Sequence, residues 1–126
     1  MNESRKGFLS EAAFQFLSWV NDDFTELFVL RTVLKSLNGS MSPEAERATG
    51  LQAVKQLLDE DLVMVGEFRS DVRSLVYWEG THFELQARIE SIWSVERPPE
   101  MGEAPWFQVT TKGRCVAEGN LLRPRT

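Results

Sequence analysis

The stretch LLDEDLVMVGEF, residues 57–68, decides the fold class, because a helical pattern changes there into a strand pattern. Before it, the pair Ser42-Pro43 is typical of a helix start, and apolar residues then recur at helical spacing to about residue 60. Residues 62–68 are rich in β-forming side chains, which predicts a strand. Gly50 leaves open whether 43–60 forms one helix or two helices joined by a turn.

Other elements are predicted on both sides of this junction. The segments DFTE at 23–26 and THFE at 81–84 each have the pattern of a capping box, in which the first and fourth side chains bond backbone N–H groups at a helix start. In chain order we predict a helix at 9–20, a helix from 23 to Asn38-Gly39, a strand at Leu75–Trp78, a helix from 81 to about Val95, a loop at 97–105 and a strand at 106–110. Residues 111–119 fit either a short helix or a returning strand. These elements together predict an α+β fold.

Length and composition indicate one folded domain. The chain has 126 residues, of which 42% are hydrophobic, so we expect a single domain over 1–126 with frayed termini at 1–8 and 120–126. No stretch approaches the roughly 20 consecutive apolar residues of a membrane span, and the start lacks the layout of a secretory signal, so we expect a cytoplasmic protein. A single cysteine and a single histidine exclude an internal disulfide and a metal cluster, and we expect no cofactor.

The net charge argues against a protein whose main partner is nucleic acid. The formal charge is −5, and the sequence pI is about 4.9, whereas phosphate binding needs clustered lysine and arginine. Only the tail at 112–126 carries an excess of basic residues.

The segments LLDEDLV at 57–63 and WFQVTTKGR at 106–114 resemble those of a winged helix-turn-helix domain. The resemblance implies a helical, winged-helix-like domain with a small antiparallel sheet, and a transcriptional regulator that reads DNA with the 43–60 helix. The residues that would contact DNA are Arg47, Lys55, Arg69, Arg73, Lys112 and Arg114. That helix also carries Glu44, Glu46, Asp59 and Glu60, which would repel phosphate. We therefore expect the fold without the DNA-reading function.

The segment from Gly66 to Trp78, the 81–95 helix and the Gly102–Gly113 close also resemble small bacterial immunity proteins, which protect a cell from its own toxin. The resemblance implies a non-enzymatic protein that neutralises a toxin with a basic cleft, through an acidic surface that bears a tryptophan. The residues predicted to bind the partner are Asp59, Glu60, Asp61, Glu67, Asp71, Trp78 and Glu79. Self-association through the 9–20 helix is a third hypothesis, and the sequence leaves a monomer or a homodimer open.

No candidate for catalysis has a supporting motif. His82 is predicted to be an exposed or half-exposed residue at a helix start, and Cys115 to be a half-buried hydrophobic cysteine. Neither has a partner at a spacing typical of catalysis, so we expect no enzyme activity. Of the four tryptophans, Trp93 is predicted to lie in the core and Trp78, beside a turn, to be the exposed one.

Overall fold

The computed structural model describes residues 9–119, and these form an α+β fold, as the sequence predicts. The predicted frayed termini, 1–8 and 120–126, lie outside the described residues. The helices are α1 (Glu11–Asp22), α2 (Leu27–Asn38), α3 (Pro43–Asp59), α4 (His82–Ile92) and α5 (Thr111–Gly119). The strands are β1 (Thr25–Glu26), β2 (Val63–Arg69), β3 (Ser74–Tyr77) and β4 (Trp106–Val109).

Side-chain caps begin three of these helices. The Ser10 and Ser42 hydroxyls accept backbone N–H bonds at the starts of α1 and α3, which satisfies donors that lack a partner within the helix. The capping box predicted at 81–84 is confirmed, since Thr81 and Glu84 bond each other's backbone N–H groups. α4 therefore begins where the sequence predicts.

The capping box predicted at 23–26 is wrong. Asp23 ends α1 instead of starting a helix, and Thr25 and Glu26 form a short strand paired with β4. The Glu26 carboxylate does not reach back along the chain but accepts a hydrogen bond from the Gly102 N–H at 2.8 Å. Because pairing with β4 holds this backbone extended, α2 starts only at Leu27 and has no side-chain cap.

The structure decides the two points that the sequence left open. Residues 43–59 form one continuous α3, and residues 111–119 form α5. Position 50 of α3 requires glycine because the Trp93 indole occupies the space that a Cβ would fill. α4 ends at Ile92, three residues before the predicted end, since Trp93 is extended.

β4, the last strand along the chain, lies inside the sheet rather than at its edge. The strand order is β1-β4-β2-β3, and all neighbouring pairs are antiparallel. In the register, Gly66 of β2 lies between Trp106 of β4 and Tyr77 of β3. β3 is therefore one free edge of the sheet.

Alternation along β4 separates a buried inner face from an outer face. Phe107 and Val109 are buried, whereas Trp106 and Gln108 are half-buried on the other side, as predicted. Phe16 of α1 packs edge-on against Phe107, with ring centroids 5.2 Å apart. The helices thus cover the inner face, and the outer face is defined here by Met64, Gly66, Phe68, Tyr77, Trp106 and Gln108.

A largely buried ion pair joins α2 to α3. Arg31 Nε lies 3.4 Å from Glu46 Oε1, and the two side chains are only 18% and 10% exposed. The Arg31 guanidinium also donates to the Pro99 carbonyl oxygen at 2.9 Å. None of the helices within 9–119 has the length and apolar character needed to cross a bilayer.

Candidate protein-docking surface

Most of the acids predicted to bind a partner are already paired within the chain. Ion pairs with neighbouring cations engage four of the six: Asp59 with Lys55 at 2.7 Å, Glu60 with Lys112 at 3.5 Å, Glu67 with Arg88 at 3.9 Å and Asp71 with Arg69 at 2.8 Å. The fifth, Asp61, makes a hydrogen-bond contact of 2.8 Å with the His82 ring Nε2. Glu79 makes no hydrogen bond or ion pair with any residue in the described range. The surface is thus of mixed charge rather than uniformly acidic. Because these pairs are exposed, each contributes little to stability.

Trp78 is held in place rather than freely exposed. Its ring is half-buried and packs against the core, its Nε1–H donates to Glu67 at 3.3 Å, and the Arg88 guanidinium lies 3.6 Å from the ring centroid. A cation stacked at this distance covers one face of the indole. The prediction that Trp78 is the exposed tryptophan is therefore wrong, and Trp19, which is 54% exposed on α1, fits that description better.

The predicted DNA-contacting cations are also mostly engaged by their own chain. Lys55, Arg69 and Lys112 pair with the acids named above, and Arg114 lies 3.5 Å from Glu118. Arg47 donates to the carbonyl oxygens of Glu90 and Trp93 at the end of α4, where a cation is favourable. Arg73 alone among the six makes no such contact with residues 9–119.

The outer face of the sheet carries a cluster of aromatic side chains. Phe68 lies between Trp106 and Phe24, which precedes β1, with ring centroids 6.2 and 6.3 Å away. Phe68 and Tyr77 are 43% and 46% exposed, and the Tyr77 hydroxyl donates to Gln108 at 2.6 Å. Aromatic rings at such separations attract each other and hold a defined arrangement.

Gly66 makes a shallow depression in this face. It pairs with both Trp106 and Tyr77, so a residue without a side chain lies between two aromatic side chains. A Cβ at position 66 would overlap the Val76 backbone, so the close approach of β2 and β3 requires glycine there.

Exposed apolar side chains concentrate near the same edge of the sheet. Within 9–119, five of the eight large apolar residues that are exposed belong to the β2–β3 hairpin or the first turn of α4: Phe68, Val72, Val76, Tyr77 and Phe83. Single exposed apolar residues are common on protein surfaces, whereas clusters of them are typical of interaction surfaces.

A second exposed aromatic site lies on α1. Trp19, with Gln15, Ser18 and Asp22, lines an open pocket of about 280 Å³. All four residues come from one helix, so the pocket is a groove along its surface rather than a cleft between elements.

The chemistry-bearing residues outside this surface are not assembled into a reactive site. Cys115 is exposed on α5, contrary to the prediction that it is half-buried. His82 is half-buried at the start of α4, as predicted, and contacts Asp61. Across the described part of the chain, no group of three or more His, Cys, Asp or Glu side chains is placed to hold a metal ion.

Reasoning from sequence missed the outer-face aromatics, although one signal was present. The alternation of WFQVT puts Trp106 on the side opposite Phe107 and Val109. A tryptophan on the polar side of an amphipathic strand indicates an uncovered aromatic. Phe68 and Tyr77 gave no comparable signal, because their neighbours follow no clear alternation.

Comparison with known proteins adds no family to this description: no family model matches the chain, and neither a curated protein nor a solved structure is similar enough to count as a match.

Proposed function

We propose that the chain is a non-enzymatic protein-binding protein that docks a partner on the outer face of its sheet and the adjoining β2–β3 hairpin. The observation that carries the proposal is the aromatic row Phe24, Phe68 and Trp106, which lies partly open to solvent on the uncovered side of the sheet. As its concrete form we propose an immunity protein that neutralises a cognate bacterial toxin.

The chemistry of the outer face supports a protein partner. Large aromatic side chains dominate binding energy at protein interfaces, above all where polar groups surround them and exclude water. Here the strands fix the aromatic rings, so little conformational entropy is lost on binding. The exposed charges of Asp71, in the hairpin turn, and of Glu79, just after β3, supply a polar rim at that edge of the sheet.

The net negative charge supports a basic partner. Although five predicted acids are paired, the whole chain keeps a formal charge of −5, and a field of that sign attracts a positive cleft during diffusional encounter. The expected signature is an association rate that falls as salt shortens the Debye length from about 10 Å at 0.1 M to about 3 Å at 1 M.

The test is co-expression of the chain with the toxin domain encoded beside its gene, together with a binding titration of the purified pair. Phe68→Ala and Trp106→Ala are each expected to weaken binding by about tenfold or more and to reduce protection from the toxin. Trp19→Ala removes an equally exposed aromatic from α1 and serves as the matched control, with affinity unchanged. Folded variants of Phe68 and Trp106 that bind as tightly as the parent would contradict the proposed surface.

A further inference from the structure

We propose that two copies of the chain associate edge to edge through β3, antiparallel about a two-fold axis at Val76, and so form a continuous eight-stranded sheet. β3 is the terminal strand of the order β1-β4-β2-β3, and its residues pair with β2 on one side only. A free strand edge presents unpaired N–H and C=O groups that can bond a second strand.

The sequence of β3 lacks the features that usually keep such an edge unpaired. Ser74–Tyr77 reads SLVY, with no charged residue and no proline, whereas free edges are commonly protected by lysine, proline or a covering element. Val76 and Tyr77 are exposed. A second strand would therefore meet apolar side chains and an open backbone.

The hydrogen bond that continues the ladder beyond β3 identifies the free backbone groups. The Trp78 N–H donates to the Val65 carbonyl oxygen at 2.9 Å. Because bonding direction alternates along an antiparallel strand, Val76 also faces β2, while Leu75 and Tyr77 direct their N–H and C=O groups to the free edge. In a two-fold dimer, Leu75 must therefore lie opposite a residue of the second copy whose backbone N–H and C=O groups also point to the free edge.

Charge selects one register among those that this rule allows. The β2–β3 segment 63–80 contains five charged residues, and only the side chains of Arg73 and Glu79 make no hydrogen bond or ion pair with residues 9–119. Arg73 lies three positions before Val76, and Glu79 lies three positions after it. A two-fold axis at Val76 therefore places Leu75 opposite Tyr77 and brings Arg73, the turn residue just before β3, toward Glu79, just after β3, of the second copy.

The neighbouring registers lack this complementarity. An axis at Leu75 would place Arg73 level with Tyr77 and bring Glu79 toward the turn that holds Asp71, a like charge. An axis at Tyr77 would place Arg73 opposite Thr81 and Glu79 opposite Leu75. Only the axis at Val76 brings both unpartnered charges near an opposite charge, and opposite charges close to each other across two strands favour their pairing.

This dimer goes beyond the proposed function and does not depend on it. A two-fold axis perpendicular to the sheet leaves both outer faces on the same side, so two aromatic surfaces would lie side by side. Because self-association is measured on the chain alone, failure of the dimer and failure of partner binding are separate results.

The test is sedimentation equilibrium of the full chain over about a hundredfold range of protein concentration. The parent is expected to show a monomer–dimer equilibrium. Arg73→Glu and Glu79→Arg are each expected to weaken it by about tenfold or more, because each creates two like-charged pairs. The double variant carrying both changes exchanges the charges and is expected to restore association to near the parent value. Glu96→Arg, an exposed acid in the 93–105 loop, is the control for net charge.

Three results would overturn the proposal: a monomer at every concentration, a dimer that both single reversals leave intact, or a double variant that fails to regain association. Far-UV circular dichroism verifies that each variant folds. For a case in which Arg73→Glu does not fold, Val76→Lys decides. It places two positive charges at the axis and is expected to abolish the dimer, so a dimer that survives it contradicts the proposal.

Discussion

Gly50 shows how one residue can set the fit between two helices. A Cβ at this position would overlap the outer ring atoms of Trp93, and Trp93 is fully buried, so its indole has no free space into which to turn. In a solvent-exposed helix, alanine would be more stable than glycine by roughly 1 kcal/mol. At this site the steric cost outweighs that gain.

We therefore expect Gly50→Ala to lower the free energy of unfolding by about 1–2 kcal/mol, since overpacking of a filled core typically costs about 1–3 kcal/mol. Urea denaturation followed by tryptophan fluorescence measures it. The matched control is Gly119→Ala at the end of α5, where no atom of residues 9–119 that the added Cβ could meet lies within 4 Å; its stability should be unchanged or slightly raised. A stabilised Gly50→Ala variant would contradict the packing described here.

At the residue scale, sequence patterns located the core better than they located the surface. The helical stripe that includes Ile89 and Trp93 was predicted from spacing, and both residues are fully buried. The exposed tryptophan could not be chosen from the sequence, because exposure of Trp78 depends on Arg88, which is ten residues away and on another element.

At the scale of elements, the Arg31–Glu46 pair links α2 to α3. From sequence, Glu46 is one of two acids near the start of α3, where a negative charge interacts favourably with the helix dipole. In the structure the two differ: Glu44 is exposed without a partner among residues 9–119, while Glu46 is buried against Arg31. Their comparison separates the ion pair from the dipole effect.

We expect Glu46→Gln to cost about 2–3 kcal/mol of stability, because it leaves the guanidinium of Arg31 largely buried without its counter-charge. Glu44→Gln removes the same charge from the same helix turn and should change stability by no more than about 0.5 kcal/mol. Thermal and urea unfolding of the two variants provide the measurement. Equal effects would show that the dipole, not the ion pair, accounts for the role of Glu46.

The sequence predicted α1 to α4 and left 111–119 open between helix and strand, and it misplaced the start of α2. DFTE satisfies the residue preferences of a capping box, and those preferences are local. The competing interaction is not local: Thr25 pairs with Phe107, more than eighty positions along the chain. A two-residue strand has no periodicity of its own, so β1 could be found only once its partner was in place.

At the scale of the whole molecule, charge distribution predicts weak affinity for nucleic acid. The chain carries a net charge of −5, and five of the six cations that a winged-helix regulator would use are engaged within the chain. Of these six cations, only Arg73 has no side-chain partner among residues 9–119 and is free to replace the counterions of DNA.

Gel-shift titration with bulk duplex DNA at low salt is expected to give no complex up to about 100 μM protein, a concentration at which typical nonspecific binders are saturated. A basic DNA-binding domain of similar size serves as the positive control. A shift at micromolar protein would instead favour the winged-helix regulator, and loss of that shift in Arg73→Glu would identify this residue, the one of those six cations without a side-chain partner among residues 9–119, as a phosphate contact.

The α+β class followed from the order of helix and strand patterns, whereas the arrangement of the strands did not. Nothing in WFQVT indicates that β4 lies between β1 and β2, because a strand's neighbours depend on which edges the helices leave accessible. The outer-face surface depends on that order, since it brings Trp106 next to Gly66. The candidate site was consequently less predictable than the core.

The interior position of β4 also bears on how the protein is made. A ribosome that has delivered the chain only as far as residue 105 has released β1 and β2 without the strand that separates them. Until β4 emerges, the facing edges of β1 and β2 are unpaired, and the side of Phe16 that Phe107 later covers is exposed. Completion of the sheet is thereby tied to the emergence of residues 106–109, and we expect a chain that has not reached them to be a substrate for chaperones that bind extended apolar segments.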